Sequence, residues 1–445
     1  MQTTDVPDAL SPSSIRQVAV ASFIGSAIEW YDFYIYGTSA ALIFPRVFFP
    51  NLSPFAAALA SFGTFGVAFF VRPLGGVVFG HYGDRLGRKS MLVITLLLMG
   101  GATFLIGLVP TYQQVGNLAP ILLVALRSLQ GFAVGGEWGG ATLMVVEHAP
   151  EAKRNYYASW PQTGVPAGLI LSTIVFAAFS SLPDESFFAW GWRIPFVLSI
   201  VLVAIGLFIR LKVLESPVFT RVKELGAESR APLIEVLRDH AAASILVIGI
   251  VTVIVVQFYV ITTFTLAYAT TQLGVPRNAM LTGLLLVGIA DGTGMIVFAR
   301  MADRIGIRPV AIWSTASIFL MSYPFFWLLV TGSVPFIWLA MSLWIFAGGA
   351  LFGITGAFIA ELFPARLRYS GISFGFQVAS MIGGLAPIIA TALTQWSGGA
   401  SWPVAIYVSL VALAALVAVS MASERYRVPI DDQQWGRRSL ATPSR

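Results

Sequence analysis

Long apolar runs separated by short polar ones dominate this chain from end to end. A membrane-crossing helix needs about 20 predominantly apolar residues. Twelve stretches approach or exceed that length: 17–44, 54–80, 90–109, 119–146, 157–181 and 193–212, then 241–271, 278–300, 309–331, 335–360, 370–394 and 402–423. Between the sixth and seventh lies a polar segment that holds Arg221, Lys223, Glu224, Glu228, Arg230, Glu235, Arg238 and Asp239. The pattern predicts an all-α membrane protein of two six-helix bundles. The bundles are residues 1–212 and 241–423, joined by a linker at 213–240 and followed by a tail at 424–445. Met1 to Arg16 is polar and lacks a short apolar core with a small-residue cleavage site, so no removed leader is expected.

Two polar motifs punctuate the apolar pattern, and both occur twice. Gly80-His-Tyr-Gly-Asp-Arg-Leu-Gly-Arg-Lys89 is echoed by Ala299-Arg-Met-Ala-Asp-Arg-Ile-Gly-Ile-Arg308, with the Asp-Arg pair and a Gly three residues after the Asp kept in both. Glu147-His-Ala-Pro150-Glu-Ala-Lys-Arg154 and Glu361-Leu-Phe-Pro364-Ala-Arg-Leu-Arg368 share Glu-x-x-Pro-x-x-x-Arg. Asp84 and Asp303 are 219 residues apart, and Glu147 and Glu361 are 214 apart. Two unrelated motifs repeating at nearly one offset indicate a duplicated half.

Composition fixes the environment. Of 445 residues, 57% are hydrophobic and 11% charged, with a mean hydropathy of +0.81, whereas soluble proteins carry about a quarter charged residues. Cysteine is absent, which excludes disulfides, thiolate metal sites and cysteine nucleophiles. The net charge of +6 would suit nucleic acid if the basic side chains shared a face, but they mark one side of a bilayer instead. Of the 27 Lys and Arg, all but Arg46, Arg193, Arg277, Arg72 and Arg127 fall in segments on one side if the chain starts inside. Cytoplasmic loops carry the excess of Lys and Arg, so both termini are expected in the cytoplasm. No GxxxxGK[ST] phosphate loop occurs, which favours secondary transport over an ATP-driven pump.

Ionisable groups inside a bilayer are costly and are functional hypotheses by default. Few occur here: Glu29 and Asp32 in span one, Arg72 in span two, Arg127 and Glu137 in span four, and Asp291 in span eight. Glu29 and Asp32, three apart, share a helix face, and Gln130 lies on the stripe of Arg127 and Glu137. His81, His148 and His240 all fall at the cytoplasmic surface, so a proton carried through the core must ride on a carboxylate. Asp32, Arg127 and Glu29 are therefore the expected coupling residues, with Asp32 paired to Arg127 until protonation frees the guanidinium for a substrate carboxylate. The expected substrate contacts are Arg127, Gln130, Tyr31, Tyr34, Trp160, Gln162, Gln257, Tyr259, Gln377 and Asp291. Static packing is the competing reading for the Asp32–Arg127 pair, and Asp291, amid Gly288, Gly292 and Gly294, would then only satisfy loosened backbone. Arg72, just before Pro73, is expected to snorkel to the inner surface.

The glycine-rich turns are expected to form an inner gate. Asp84 is suited to take the N-terminal end of a neighbouring helix or Arg154, while Arg85, Arg88 and Lys89 would meet Glu147 and Glu151. Gly87, Asp303, Arg304, Glu361 and Arg368 complete this seam, and Glu137 belongs with its geometry. A solvated basic loop would account for the Arg and Lys but not for a repeated Asp and Gly.

Gly80–Lys89 resembles the signature between spans two and three of the major facilitator superfamily, and Arg127-Ser-Leu-Gln-Gly131 resembles its span-four motif. With Glu29-Trp-Tyr-Asp-Phe-Tyr, Arg72-Pro-Leu-Gly-Gly, Leu129 to Ala141, Trp190 to Phe196 and Glu361-Leu-Phe-Pro, the chain resembles the metabolite:proton symporters. That resemblance implies twelve helices and uptake of a small organic anion with protons. It implies no cofactor beyond the proton, a monomer in a bacterial inner membrane, and no nucleic-acid partner. A proline- or betaine-like zwitterion is the alternative substrate. A drug/proton antiporter, a non-transporting receptor and a membrane enzyme are the remaining readings, and the enzyme is disfavoured by the lack of intramembrane His and Cys.

Overall fold

A computed structural model describes residues 12–86, 88–135, 142–143, 145–146, 149–212 and 232–425. The described residues are helical with no strand, because in hydrocarbon every backbone amide must be satisfied within the protein. The principal helices are α1 (Pro12–Leu42), α2 (Pro54–Leu86), α3 (Arg88–Leu108), α4 (Leu118–Val134), α5 (Arg154–Ser180) and α6 (Ile194–Lys212). They continue with α7 (Ala241–Thr271), α8 (Arg277–Ile305), α9 (Ile307–Leu329), α10 (Val334–Ala360), α11 (Leu367–Trp396) and α12 (Trp402–Arg425). All twelve coincide with the apolar runs. Among the described residues nine helices are long and apolar enough to cross a membrane, and Val93–Leu108 and Leu118–Val134 are shorter apolar helices.

Large apolar side chains cover the outside: Leu74, Ile121, Ile174, Leu320, Trp327 and Leu410 are all more than half exposed. A soluble monomer rarely tolerates such coverage, whereas acyl chains satisfy it. Helices α7 and α10 are the most enclosed, burying 78% and 72% of their most apolar windows.

Helix pairings recur six helices apart. α1 packs on α5 as α7 packs on α11, α2 on α4 as α8 on α10, and α3 on α6 as α9 on α12. The halves meet where α5 runs against α8 and α2 against α11, again one pairing seen twice.

The α2–α4 crossing sets the position of the functional residues. A Cβ on Gly131 would lie 2.6 Å from Ala68 Cα, and one on Gly75 would lie 2.7 Å from the Phe132 carbonyl carbon. Small residues permit this backbone approach between membrane helices, and Gly75 and Gly131 follow Arg72 and Arg127 by one turn. Gly131→Val is expected to lose most folded protein and to lower the melting temperature of the remainder, since a backbone clash cannot relax as an overpacked side chain can. Fluorescence-detected size exclusion and a thermal ramp would check this, and a wild-type melting temperature would refute it.

Candidate substrate and proton site

The site begins with α1. Phe33 and Tyr36, three residues apart, present their rings to the same guanidinium: Arg127 Cζ lies 4.4 Å from the Phe33 ring centre and 4.1 Å from that of Tyr36. Phe65 of α2 closes a third side at 5.0 Å. The cradle is held firmly, since the Tyr36 hydroxyl donates to Thr64 Oγ1 at 2.7 Å and Thr64 in turn donates to the Ser61 carbonyl. Arg127 is fully buried, as the sequence implied. Its Nη1 donates to Gln130 Oε1, one helical turn along, while Nε and Nη2 have no hydrogen-bond partner.

Asp32 is buried too, but the expected ion pair with Arg127 is not formed among the described residues. Gln130 stands between them, accepting from Arg127 and donating through Nε2 to Thr103 Oγ1 at 2.8 Å. The Thr103 hydroxyl in turn donates to the Met99 carbonyl at 2.9 Å, and Asp32 Oδ1 has no partner. A donor chain, Arg127 to Gln130 to Thr103 to the Met99 carbonyl, forms in place of the direct bridge. Three apart on α4, Arg127 and Gln130 satisfy one another first, and α3 supplies Thr103 to the amide.

Arg72 is the largest departure from the sequence reading. It does not snorkel outward. It is 2% exposed, with Cζ 4.3 Å from the Phe33 ring centre and 4.6 Å from that of Phe69. The glycine crossing carries this part of α2 into the bundle, so the side chain lies on aromatic faces rather than at the surface. Phe33 thus serves both arginines. Glu29, half-buried, acts on Arg72 through space.

From the second half, Tyr259 packs edge-on to Phe65 and Phe69, with centroids 5.1 and 5.6 Å away. Tyr34 lies tilted on Phe258 at 5.5 Å. Neither tyrosine hydroxyl has a partner, nor has Asp291 Oδ2. Asp291 sits against α10 where a Cβ on Gly349 would strike Asp291 Oδ1, so Gly349 makes room for this carboxyl. Just after Tyr259 the α-helix relaxes into a π-turn, Val260–Phe264, a feature frequent at functional sites. Phe33, Tyr34, Phe65, Tyr259, Thr262 and Thr263 line a small cavity between the halves, of about 10 Å³, roughly the room of one water.

The remaining expected contacts divide. Gln377 reaches across the halves, donating to the Gly135 carbonyl at 3.0 Å with Oε1 unpartnered. Trp160 Nε1 is also unpartnered, nearer the basic end. Gln162 donates to Thr142 at 3.3 Å. Tyr31 and Gln257 are not brought to the cavity. The Tyr31 hydroxyl donates to the Pro195 carbonyl, and Gln257 donates to the Trp344 carbonyl at the α7–α10 contact; both serve packing.

At the basic end, Asp303 caps α5. Its Oδ1 accepts from the Asn155 backbone and side-chain amides at 2.9 and 3.0 Å, and Oδ2 accepts from the Tyr156 amide at 3.0 Å. A carboxylate at a helix N-terminus satisfies orphan donors and meets the positive end of the dipole. Arg154 opens the same helix. Arg304 is exposed, and Arg368 donates through Nε to the Ala360 carbonyl at the C-terminus of α10, next to Glu361. The side chains of Asp84, Arg85 and Arg88, together with Gly87, Glu137 and Glu147, lie outside the described residues. At the opposite end Ser180 bonds Asn278 at 2.7 Å, and Arg277 donates to the Ser180 carbonyl at 2.8 Å and meets Asp184 at 3.3 Å. Both ends of the α5–α8 seam are thus fastened.

Asp303→Ala is expected to loosen the basic end. Losing a helix cap costs about 0.5–2 kcal/mol, which would shift the open population roughly two- to thirtyfold. The chain has no native cysteine, so the maleimide labelling rate at Trp160→Cys reports this directly; an unchanged rate would refute it.

The sequence matches the Major Facilitator Superfamily over residues 22–384. The chain belongs to that superfamily. It is therefore a multi-pass membrane transporter and not an enzyme. Among its relatives, the shikimate transporter of Escherichia coli strain K12 is 45% identical over 403 residues, covering 89% of this chain and 92% of that protein. The proline/betaine transporter of the same strain is 32% identical over 435 residues, covering 95% and 86%. The crystal structure of a D-xylose-proton symporter superposes with a TM-score of 0.68 at 18% identity, covering 94% of this chain and 99% of that one. The likeness extends to the whole twelve-helix superfamily fold.

Proposed function

We propose that this transporter imports a small organic acid together with protons across a bacterial inner membrane, by alternating access, as a monomer with both termini in the cytoplasm. One observation carries the reading: Arg127 is wholly buried beside the cavity, with Nε and Nη2 unpartnered and no carboxylate paired to it among the described residues. A buried charge left unpaired is costly, and a substrate carboxylate would complete it with charge-assisted hydrogen bonds.

Asp32 supplies the coupling. When ionised, it attracts Arg127 through space and competes with the substrate for the guanidinium. When protonated, it releases that hold, and the spare donors of Arg127 take the carboxylate. Release on the cytoplasmic side follows when Asp32 gives up its proton. Access alternates as the α5–α8 and α2–α11 seams part at one end and then the other, with Asp303 and the Arg277–Asp184 contact as opposing fasteners. The similarity to a shikimate transporter supports an oxygen-rich monocarboxylate, for which Tyr34, Tyr259 and Asp291 offer hydroxyl partners.

A zwitterion is the second reading. It is favoured by Asp291, an acid in the opposite half with Oδ2 unpartnered, which would face a substrate cation. Reconstituted protein given labelled shikimate or glycine betaine under an inward proton gradient separates the two. Concentrative uptake of shikimate supports the first reading, uptake of glycine betaine alone supports the second, and uptake of neither overturns both.

A further inference from the structure

Arg72 has no role in the reading above, yet it shares the Phe33 ring with Arg127. The two guanidiniums lie 4.3 and 4.4 Å from that ring's centre. Each leaves Nε and Nη2 without a hydrogen-bond partner, and both arginines are almost wholly buried. Two like charges held in one low-dielectric region repel, and each pays for lost hydration. Aromatic faces recover only part of that cost. Side chains that served packing alone would be more stable as apolar residues of similar volume. Four unused donor nitrogens around Phe33, a ring that lines the cavity, describe a site for one more anion.

We propose that Arg72 and Arg127 act as a paired guanidinium clamp, with Phe33 as its platform, that takes the substrate's carboxylate between them. Arg72 is then a specificity-determining residue that selects acids over neutral isosteres. Phe33 contacts both forks, while Phe69 and Phe65 are the further rings against Arg72 and Arg127 respectively. Tyr259, packed edge-on between Phe65 and Phe69, closes the clamp from the second half, so carboxylate capture reaches the helix-half interface that must move. Planar guanidinium forks match a carboxylate in a way that a lysine ammonium does not.

This inference rests on the organic-acid reading, and the test separates the two. Purified full-length protein is titrated with shikimate and with its methyl ester, following the melting temperature and calorimetric binding, for wild type, Arg72→Gln and Arg72→Lys. Wild type is expected to favour the acid over the ester by roughly a hundredfold, because the ester leaves buried charged donors poorly satisfied. Arg72→Gln should bind the acid at least about tenfold more weakly and the ester as before, narrowing that ratio; a merely structural role would weaken both ligands alike. Arg72→Lys should fall between, and it carries the test if the glutamine variant does not fold. An unchanged acid-to-ester ratio in the variants overturns the clamp while leaving the organic-acid reading intact. Failure of wild type to bind shikimate, with glycine betaine bound instead, overturns the reading and the clamp together.

Discussion

Arg127→Gln is expected to abolish concentrative uptake and to weaken substrate binding by more than about thirtyfold. Truncating one partner of a buried, hydrogen-bonded charge pair costs about 2–5 kcal/mol, and each 1.4 kcal/mol is tenfold in affinity. The glutamine retains a donor and much of the volume between Phe33, Tyr36 and Phe65, so the cradle should survive. The melting temperature without substrate should stay close to wild type or rise, because an unpaired buried charge has been removed. Uptake and melting measured on one preparation therefore distinguish lost chemistry from lost folding. Normal uptake by Arg127→Gln would remove Arg127 from the mechanism.

Asp32→Asn is expected to separate exchange from accumulation. A gradient of one pH unit supplies about 1.4 kcal/mol per proton, enough for roughly tenfold accumulation of a co-transported solute. With asparagine at position 32 the Arg127–Gln130–Thr103 hydrogen bonds keep their shape, but the group can no longer gain or lose a proton. Accumulation should fall to the equilibrium ratio of one, while exchange of internal for external substrate continues. Proteoliposomes with and without the imposed gradient give both numbers. Uphill uptake at the wild-type level would exclude Asp32 as the proton carrier.

Much of this architecture was legible in the sequence because its signals are one-dimensional. Apolar run length fixed the twelve spans, and the repeated Asp-Arg-x-Gly turns marked the duplication. The helix N-terminus expected for Asp84 lies outside the described residues, while its repeat, Asp303, takes the N-terminus of α5. The local stripe of Arg127 and Gln130 also needed only helical spacing. What escaped the sequence depends on contacts between helices. Arg72 reads as a snorkelling residue from its place before Pro73, and only the Gly75–Gly131 approach of α2 to α4 brings it onto Phe33 and Phe69. The pairing of Asp32 with Arg127 looked natural by depth, yet Gln130 and Thr103 from α3 fill the gap. Phe33 and Tyr36, whose rings cradle Arg127, were missed. Their signal was present, since they lie three apart in the same stretch as Asp32, but aromatic residues are too common here to single out. Tyr31 and Gln257 were overcounted for the mirror reason: a polar group in a span is as readily consumed by a neighbouring carbonyl as offered to a substrate.

Solute and proton are expected to cross together, and a pH electrode observes that directly. Weakly buffered proteoliposomes, with no imposed gradient, are given shikimate outside. Co-transport predicts that the external medium becomes more alkaline as labelled shikimate enters, and that Asp32→Asn loses this pH change while still exchanging label. Entry of shikimate through the wild-type protein with no change in external pH would contradict the central claim.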